Sequence, residues 1–465
     1  MDTTDRKERE VKTIRRGFGP GLGNRSVHAM GFAVLLVGGC LGVASCAAEE
    51  EGSQAQLDIR TISCPDIASS LSGGTPNNPQ AQARLGLLDQ QVSNAYDTLS
   101  DSAGGTPRGE AEILAEVAEL RRRTITELAD ETGAAPQQKA EMMAMADCTV
   151  THEPAGEEIG VLKGKGGNER RGSGLTRRDY VDITQVTPNT GQQQPNTRQA
   201  STGTFTSKCG NNGNDPHINP DNVVISPGER AAAHHQHDYV GNRTTDFRST
   251  VESLRKASTT CSNGDLSTYY APVVRLLDGR QEDDAKDRGG GLDRNQGTIL
   301  TPEEFGITFK GNPFGKVNPL PDGMVAVVGD AKAFTNGLKN ARASWSCTGF
   351  EAVQLRDKYP LCPSGSNVIR TFSFPNCSNG QANSANHRTH TAFSGSNGQC
   401  PKGFEPIPQL VMAVSYRIPQ GAFYAVDSFP EQLHKPVTDH ADFINVMPKS
   451  LMQRAVTCIN SGTNC

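Results

Sequence analysis

The 465-residue chain has a single tryptophan, Trp345, and aromatic residues make up only 5% of it. Apolar residues reach 35%, against roughly 45–50% in an ordinary globular domain. A folded core must therefore share the chain with much loop, for which 49 glycines and 27 prolines provide. A dense basic stretch is missing too. The net charge is −5, and Arg121 to Arg123, Arg170-Arg171 and Arg177-Arg178 are short and separated. No nucleic-acid partner is expected from so dilute a footprint. No Cys-x-x-Cys pair occurs, which removes zinc-ribbon and dithiol-redox readings. There is no Gly-x-Ser-x-Gly elbow for a serine nucleophile. Gly289-Gly290-Gly291 lacks the spacing of a phosphate-cradling loop, so no nucleotide is expected either.

What is present begins at the N-terminus. Lys12, Arg15, Arg16 and Arg25 precede an apolar run from Gly31 to Ser45, too short and glycine-broken for a spanning helix of about 20 residues. It has the form of a signal-peptide core. Val43-Ala44-Ser45-Cys46 looks like a bacterial lipobox, which makes Cys46 the expected lipidated residue and the outer face of the cell membrane the expected location. Ordinary secretion is the alternative. Two of the twelve cysteines, Cys40 and Cys46, fall in this signal region. The other ten divide evenly into Cys64 with Cys148 and eight from Cys209 to Cys465, as pairing in an oxidising compartment requires.

Leu85, Leu88, Val92, Tyr96 and Leu99 recur at spacings of three and four, the apolar stripe of a helix. Ile113, Leu114, Val117, Leu120 and Leu128 repeat the pattern, and a third helix is expected near Pro136 with Met142, Met143 and Met145. A Cys64–Cys148 bridge would tie the ends of this unit, which reads as a spacer or docking module. After it the Gly-, Gln- and Asn-rich composition predicts a flexible linker. From Phe205 onward, NVVIS, TYYAPVVRLL, GITFK, GMVAVVG, NVIRTFSF, PQLVMAVSYRI and GAFYAVDSF are short β-branched or aromatic runs. One helix is expected near Lys449 to Ile459. The predicted fold is α+β: a disulfide-stabilised, β-rich, sandwich-like C-terminal domain preceded by a small helical hairpin unit. The expected boundaries are signal peptide 1–46, tether 47–60, helical unit 61–150, linker 151–204 and β-rich domain 205–465.

Several ordered motifs of the last 260 or so residues resemble a secreted family of unknown function. That family occurs in fungi, often beside a carbohydrate-binding WSC module, and in actinomycetes. The motifs are Asp215-Pro216, Ser226-Pro227-Gly228 and the stretch His234-His235-Gln236-His237. Tyr269-Tyr270-Ala271-Pro272, Gly329-Asp330 and Phe374-Pro375-Asn376-Cys377 follow in order. Asn386-His387-Arg388-Thr389-His390 and His440-Ala441-Asp442-Phe443 complete the set. The family has serine where this chain has His234, which sets His234 apart from His235 and His237. The resemblance implies shared residues and no reaction.

His235 and His237 are two apart, so on an extended strand both leave one face. His440 and Asp442 share that spacing, whereas His387 and His390 align only on a helical turn. The candidate catalytic residues are His235, His237, His387, His390, His440, Asp442 and Asp215. Three readings stay open. His235, His237 and His390 could hold a divalent metal, with Asp442 or Asp238 in support. Imidazoles and the carboxylates of Asp215, Asp238 and Asp442 could instead cleave polysaccharide without metal by acid–base chemistry. Or the histidines hold loops together, or line a sugar groove without catalysis. The leading expectation is a lipid-anchored enzyme acting on cell-envelope or environmental polysaccharide; the alternative is a non-catalytic glycan- or envelope-binding lipoprotein.

Overall fold

In a computed structural model the chain is described for residues 59–71, 78–101, 108–154, 158–159, 162–163, 169–170, 173–191, 196–214, 216–280 and 283–465. The signal sequence, Cys46, the tether and Asp215 lie outside these residues. No helix of the described residues is long and apolar enough to cross a membrane.

The helical stripes form as their spacing requires. Helix α1 (Pro79–Asp101) buries Leu88, Val92, Tyr96 and Leu99, and α2 (Glu110–Glu131) buries Ile113, Val117, Ile125 and Leu128. Arg84 pairs with Glu131, and Gln91 bonds Thr124 near mid-helix, so the two helices run antiparallel. The short α3 (Pro136–Ala144) buries Met142 beneath them. Strands β1 (Arg60–Ser63) and β2 (Thr149–His152) pair antiparallel, and the Cys64–Cys148 disulfide closes the unit just beyond them.

The β-rich part is a sandwich of two antiparallel five-stranded sheets. In chain order its strands are β3 (Thr204–Ser207), β4 (Ile218–Asn219), β5 (His237–Gly241), β6 (Thr268–Pro272) and β7 (Glu304–Lys310). Then come β8 (Val325–Gly329), β9 (Ser344–Cys347), β10 (Val368–Ser373), β11 (Gln409–Tyr416) and β12 (His440–Ile444). One sheet has the order β8-β12-β6-β5-β4, the other β9-β10-β11-β7-β3. Side chains alternate between the faces of a strand. Val240, Tyr269, Ala271, Ala441 and Phe443 of the first sheet therefore meet Phe309, Met412, Val414 and Phe372 of the second in one core. Trp345 is buried in that core, as its place beside Cys347 suggests.

The first sheet's outer face is also covered. Val223 and Val224 pack there on Tyr239, Tyr270, Val327 and Ile444. NVVIS, read from sequence as a strand, is a turn whose two valines cap this face. The C-terminal helix runs Lys449–Ser461, and a Cys458–Cys465 bridge pins the chain end beside it. Cys209–Cys261, Cys347–Cys362 and Cys377–Cys400 complete the five disulfides of the described residues, which fit an oxidising, extracellular setting.

The expected linker 151–204 needs correction over its described residues. Leu175 and Ile183 are fully buried, Tyr180 donates to the Tyr424 carbonyl at 2.6 Å, and Tyr180–Asp182 pairs in parallel with Tyr359–Leu361. Its apolar residues are sparse and without period, yet Ile159, Leu175, Tyr180 and Ile183 fill places on the sandwich. The helical unit and the sandwich belong to one compact unit.

Candidate metal centre

The outer face of the first sheet places the site. His237 opens β5 and His440 opens β12, and both point outward, opposite the core-facing Asp238 and Ala441. His235 arrives from the turn before β5, where His234 has a left-handed backbone (φ 57°) that redirects the chain. His234 Nδ1 lies 2.9 Å from an Asp293 carboxylate oxygen, and its ring stacks on Phe429. It positions His235 without joining it.

Three imidazoles thereby converge in a buried spot. His235 Nε2 is 3.0 Å from His237 Nε2 and 3.3 Å from His440 Nε2. His237 Nδ1 donates to the Asp221 carbonyl and His440 Nδ1 to the Thr438 carbonyl, each at 2.9 Å. A carbonyl only accepts, so these two neutral rings carry their proton on Nδ1 and a lone pair on Nε2. His235 has at most one Nε2 proton to offer two such lone pairs. Burial first, and the neighbouring imidazoles second, hold His235 and His237 well below the usual histidine pKa, and burial brings His440 to about 4. Protonation is thus a costly way to relieve the crowding.

A cation relieves it directly. Nitrogens about 2.0–2.1 Å from a tetrahedral ion stand about 3.3 Å apart, close to the separations found here. The three ligand nitrogens lie within 4.8 Å of one another, and among the described residues this is the group of histidine, cysteine and carboxylate side chains that meets that spacing. Three neutral nitrogen donors suit zinc or another borderline transition ion.

The centre opens on a cavity of about 410 Å³. His235, His440 and Asp442 line it from the sheet, while Asn386, His387 and Arg388 line it from a loop. Both Asp442 carboxylate oxygens are buried without a hydrogen-bond partner, and burial raises this carboxyl to about 7 against the pull of Arg388. The opposite wall comes from the helical unit, with Asp66, Ile67, Leu88 and Asp89, and Lys332 reaches across to Asp89.

The expected site residues separate accordingly. His387 lines the cavity, its Nδ1 3.0 Å from the Asn383 amide oxygen. His390 does not join the metal set: its Nδ1 is engaged by Ser384 Oγ at 2.9 Å and its Nε2 by the Val325 carbonyl at 2.7 Å, so neither nitrogen is left to ligate. His440 takes that place. Asp238 faces the sandwich interior, bonded by Asn212, because it follows His237 by one residue. Arg388 and Lys332 were missed from sequence. Arg388 sits inside the Asn-His-Arg-Thr-His motif, which could have flagged it; nothing in the pattern of the helical unit marks Asp66 or Asp89.

Residues 221–446 match the family model described as a domain of unknown function (DUF1996). The three converging histidines, Asp442 and Arg388 all lie within that match, and the helical wall lies outside it. No curated protein and no solved structure matches the chain.

Proposed function

Taking a domain of unknown function at residues 221–446 as the premise, we propose that the protein is a metal-dependent enzyme that cleaves polysaccharide of the cell envelope or surroundings. The supporting observation is the meeting of three lone-pair-bearing imidazoles, His235, His237 and His440, beside an unpartnered Asp442 in one cavity. An ion held by His235, His237 and His440 would supply Lewis acidity and lower the pKa of a bound water. Asp442, on the same strand face as His440 and lining the same cavity, would serve as the base.

Planar amides and carboxylates, the groups that match sugar hydroxyls, dominate the polar lining: Asn222, Asn340, Asn386, Gln432, Asp66 and Asp330. Among the described residues, no exposed aromatic platform of the kind a non-catalytic sugar-binding module uses lines the cavity. Phe429, the cavity's aromatic ring, is 5% exposed. Purified, tag-free protein is expected to carry about one equivalent of zinc or a similar ion. His440→Asn should lose it together with turnover of wall polysaccharide. Metal below about a tenth of an equivalent in the native protein, with no gain on adding it, would sink the reading.

The Val43-Ala44-Ser45-Cys46 motif supports a lipid anchor at Cys46, holding the enzyme at the membrane's outer face. Cys46→Ser should then move the protein from the membrane fraction to the medium; unchanged partitioning would refute the anchor.

A further inference from the structure

Arg388 lines the cavity beside the centre. One amino group donates to the Gly329 carbonyl at 2.7 Å, and Gly329 is the cross-strand partner of His440. That bond fixes the guanidinium beside the metal-binding strand. Arg388 lines the cavity and is within electrostatic reach of His440, His387 and Asp442, yet no carboxylate lies within ion-pair distance of it among the described residues. Lys332, the other cation facing the cavity from the sandwich, is already paired with Asp89.

The ligand set sharpens the point. Three imidazoles are neutral, so a bound dication keeps its full charge in a largely buried place. Asp330 is partly occupied by Asn340 and the Lys332 backbone, and Asp442 is the carboxylate adjoining the centre. A planar guanidinium with donors to spare, next to an undercompensated dication, is an arrangement that takes up an oxyanion in two-point fashion.

We propose that Arg388, together with the metal, binds an anionic group of the substrate, so that the polysaccharide acted on is acidic, bearing uronate carboxylates or phosphoesters. The inference rests on the metal reading above and deepens it. Carboxylate and phosphate share the required chemistry, and the test separates them.

Cobalt(II) is loaded into the metal-free protein and its visible spectrum is titrated with methyl galacturonate, methyl galactoside, acetate and inorganic phosphate. The galacturonate or the phosphate should perturb the spectrum saturably, and neutral methyl galactoside should bind at least about tenfold more weakly. A response to galacturonate and acetate assigns a uronate; a response to phosphate alone assigns a phosphoester. Arg388→Gln should keep one cobalt and lose anion affinity by about tenfold or more, with Arg388→Lys between the two. Equal anion affinity in wild type and Arg388→Gln, or neutral galactoside binding as well as galacturonate, would overturn the anion subsite while leaving the metal centre standing. Failure of the wild-type protein to take up cobalt would instead remove the metal reading and the subsite with it.

Discussion

The two faces of one sheet handle buried polar groups in opposite ways. On the inner face, Arg370 is fully buried and meets Asp439 at 3.1 Å, the Tyr416 hydroxyl at 2.8 Å and the Pro272 carbonyl at 2.6 Å, with Asp238 nearby. A cation stands against carboxylates, so the charges compensate within the protein. On the outer face, one residue along each strand, His237 and His440 turn their lone pairs toward His235, and Asp442 has no partner. The buried Arg370 has a carboxylate beside it, whereas Asp442 has no ion-pair partner among the described residues, and that contrast sets the candidate site apart from this part of the scaffold.

The comparison can be broken most severely from the inside. Arg370→Met leaves Asp238 and Asp439 buried without their cation and should cost about 3–5 kcal/mol in urea denaturation. A loss below about 1 kcal/mol would mean the inner cluster is not charge-compensated as described. Gly329→Ala tests how the two faces are coupled. Gly329 has φ +85°, and a Cβ there would come within 2.3 Å of the Asp439 carbonyl and 2.8 Å of His440 Cβ. The strained backbone alone should cost about 1–3 kcal/mol. Displacement of His440 should lower metal affinity at least about tenfold by equilibrium dialysis, and unchanged affinity would uncouple the faces.

The smallest effect concerns a third setting, the seam between helical unit and sandwich. Glu431 is buried there, with Ser93 Oγ 3.2 Å from its carboxylate and Thr61 bonded to its backbone carbonyl. Burial raises its pKa from 4.5 to about 7. The folded state thus holds a proton that the unfolded chain releases near 4.5, so the penalty for ionising Glu431 accumulates as pH rises from about 4.5 to 7. Glu431→Gln should match wild type near pH 4.5 and already exceed it by on the order of 1–2 kcal/mol at about pH 6. An advantage that does not vary with pH would show that Glu431 is not the titrating group.

Much of the scaffold was legible because periodic burial leaves a periodic sequence. The stripe from Leu85 to Leu99 gave α1, and alternation in GITFK and PQLVMAVSYRI gave two strands of the far sheet. Val223 and Val224 misled because two adjacent valines fit a strand or a capping turn equally well. The site was legible in part. His235 and His237 are neighbours in sequence, but whether His390 or His440 joins them depends on which strand docks alongside, and β12 reaches β6 across a separation that no local pattern records. Nor could a linker-like stretch announce that Leu175 and Ile183 would find pockets, since single apolar residues carry no period.

His235 and His440 touch across 205 positions of chain, and β12 is the last strand of the described residues. A molecule that lacks β12 therefore has two of the three imidazoles. If the proposed ion binds, its capture waits for β12 to close between β6 and β8, and metal content would then count finished molecules.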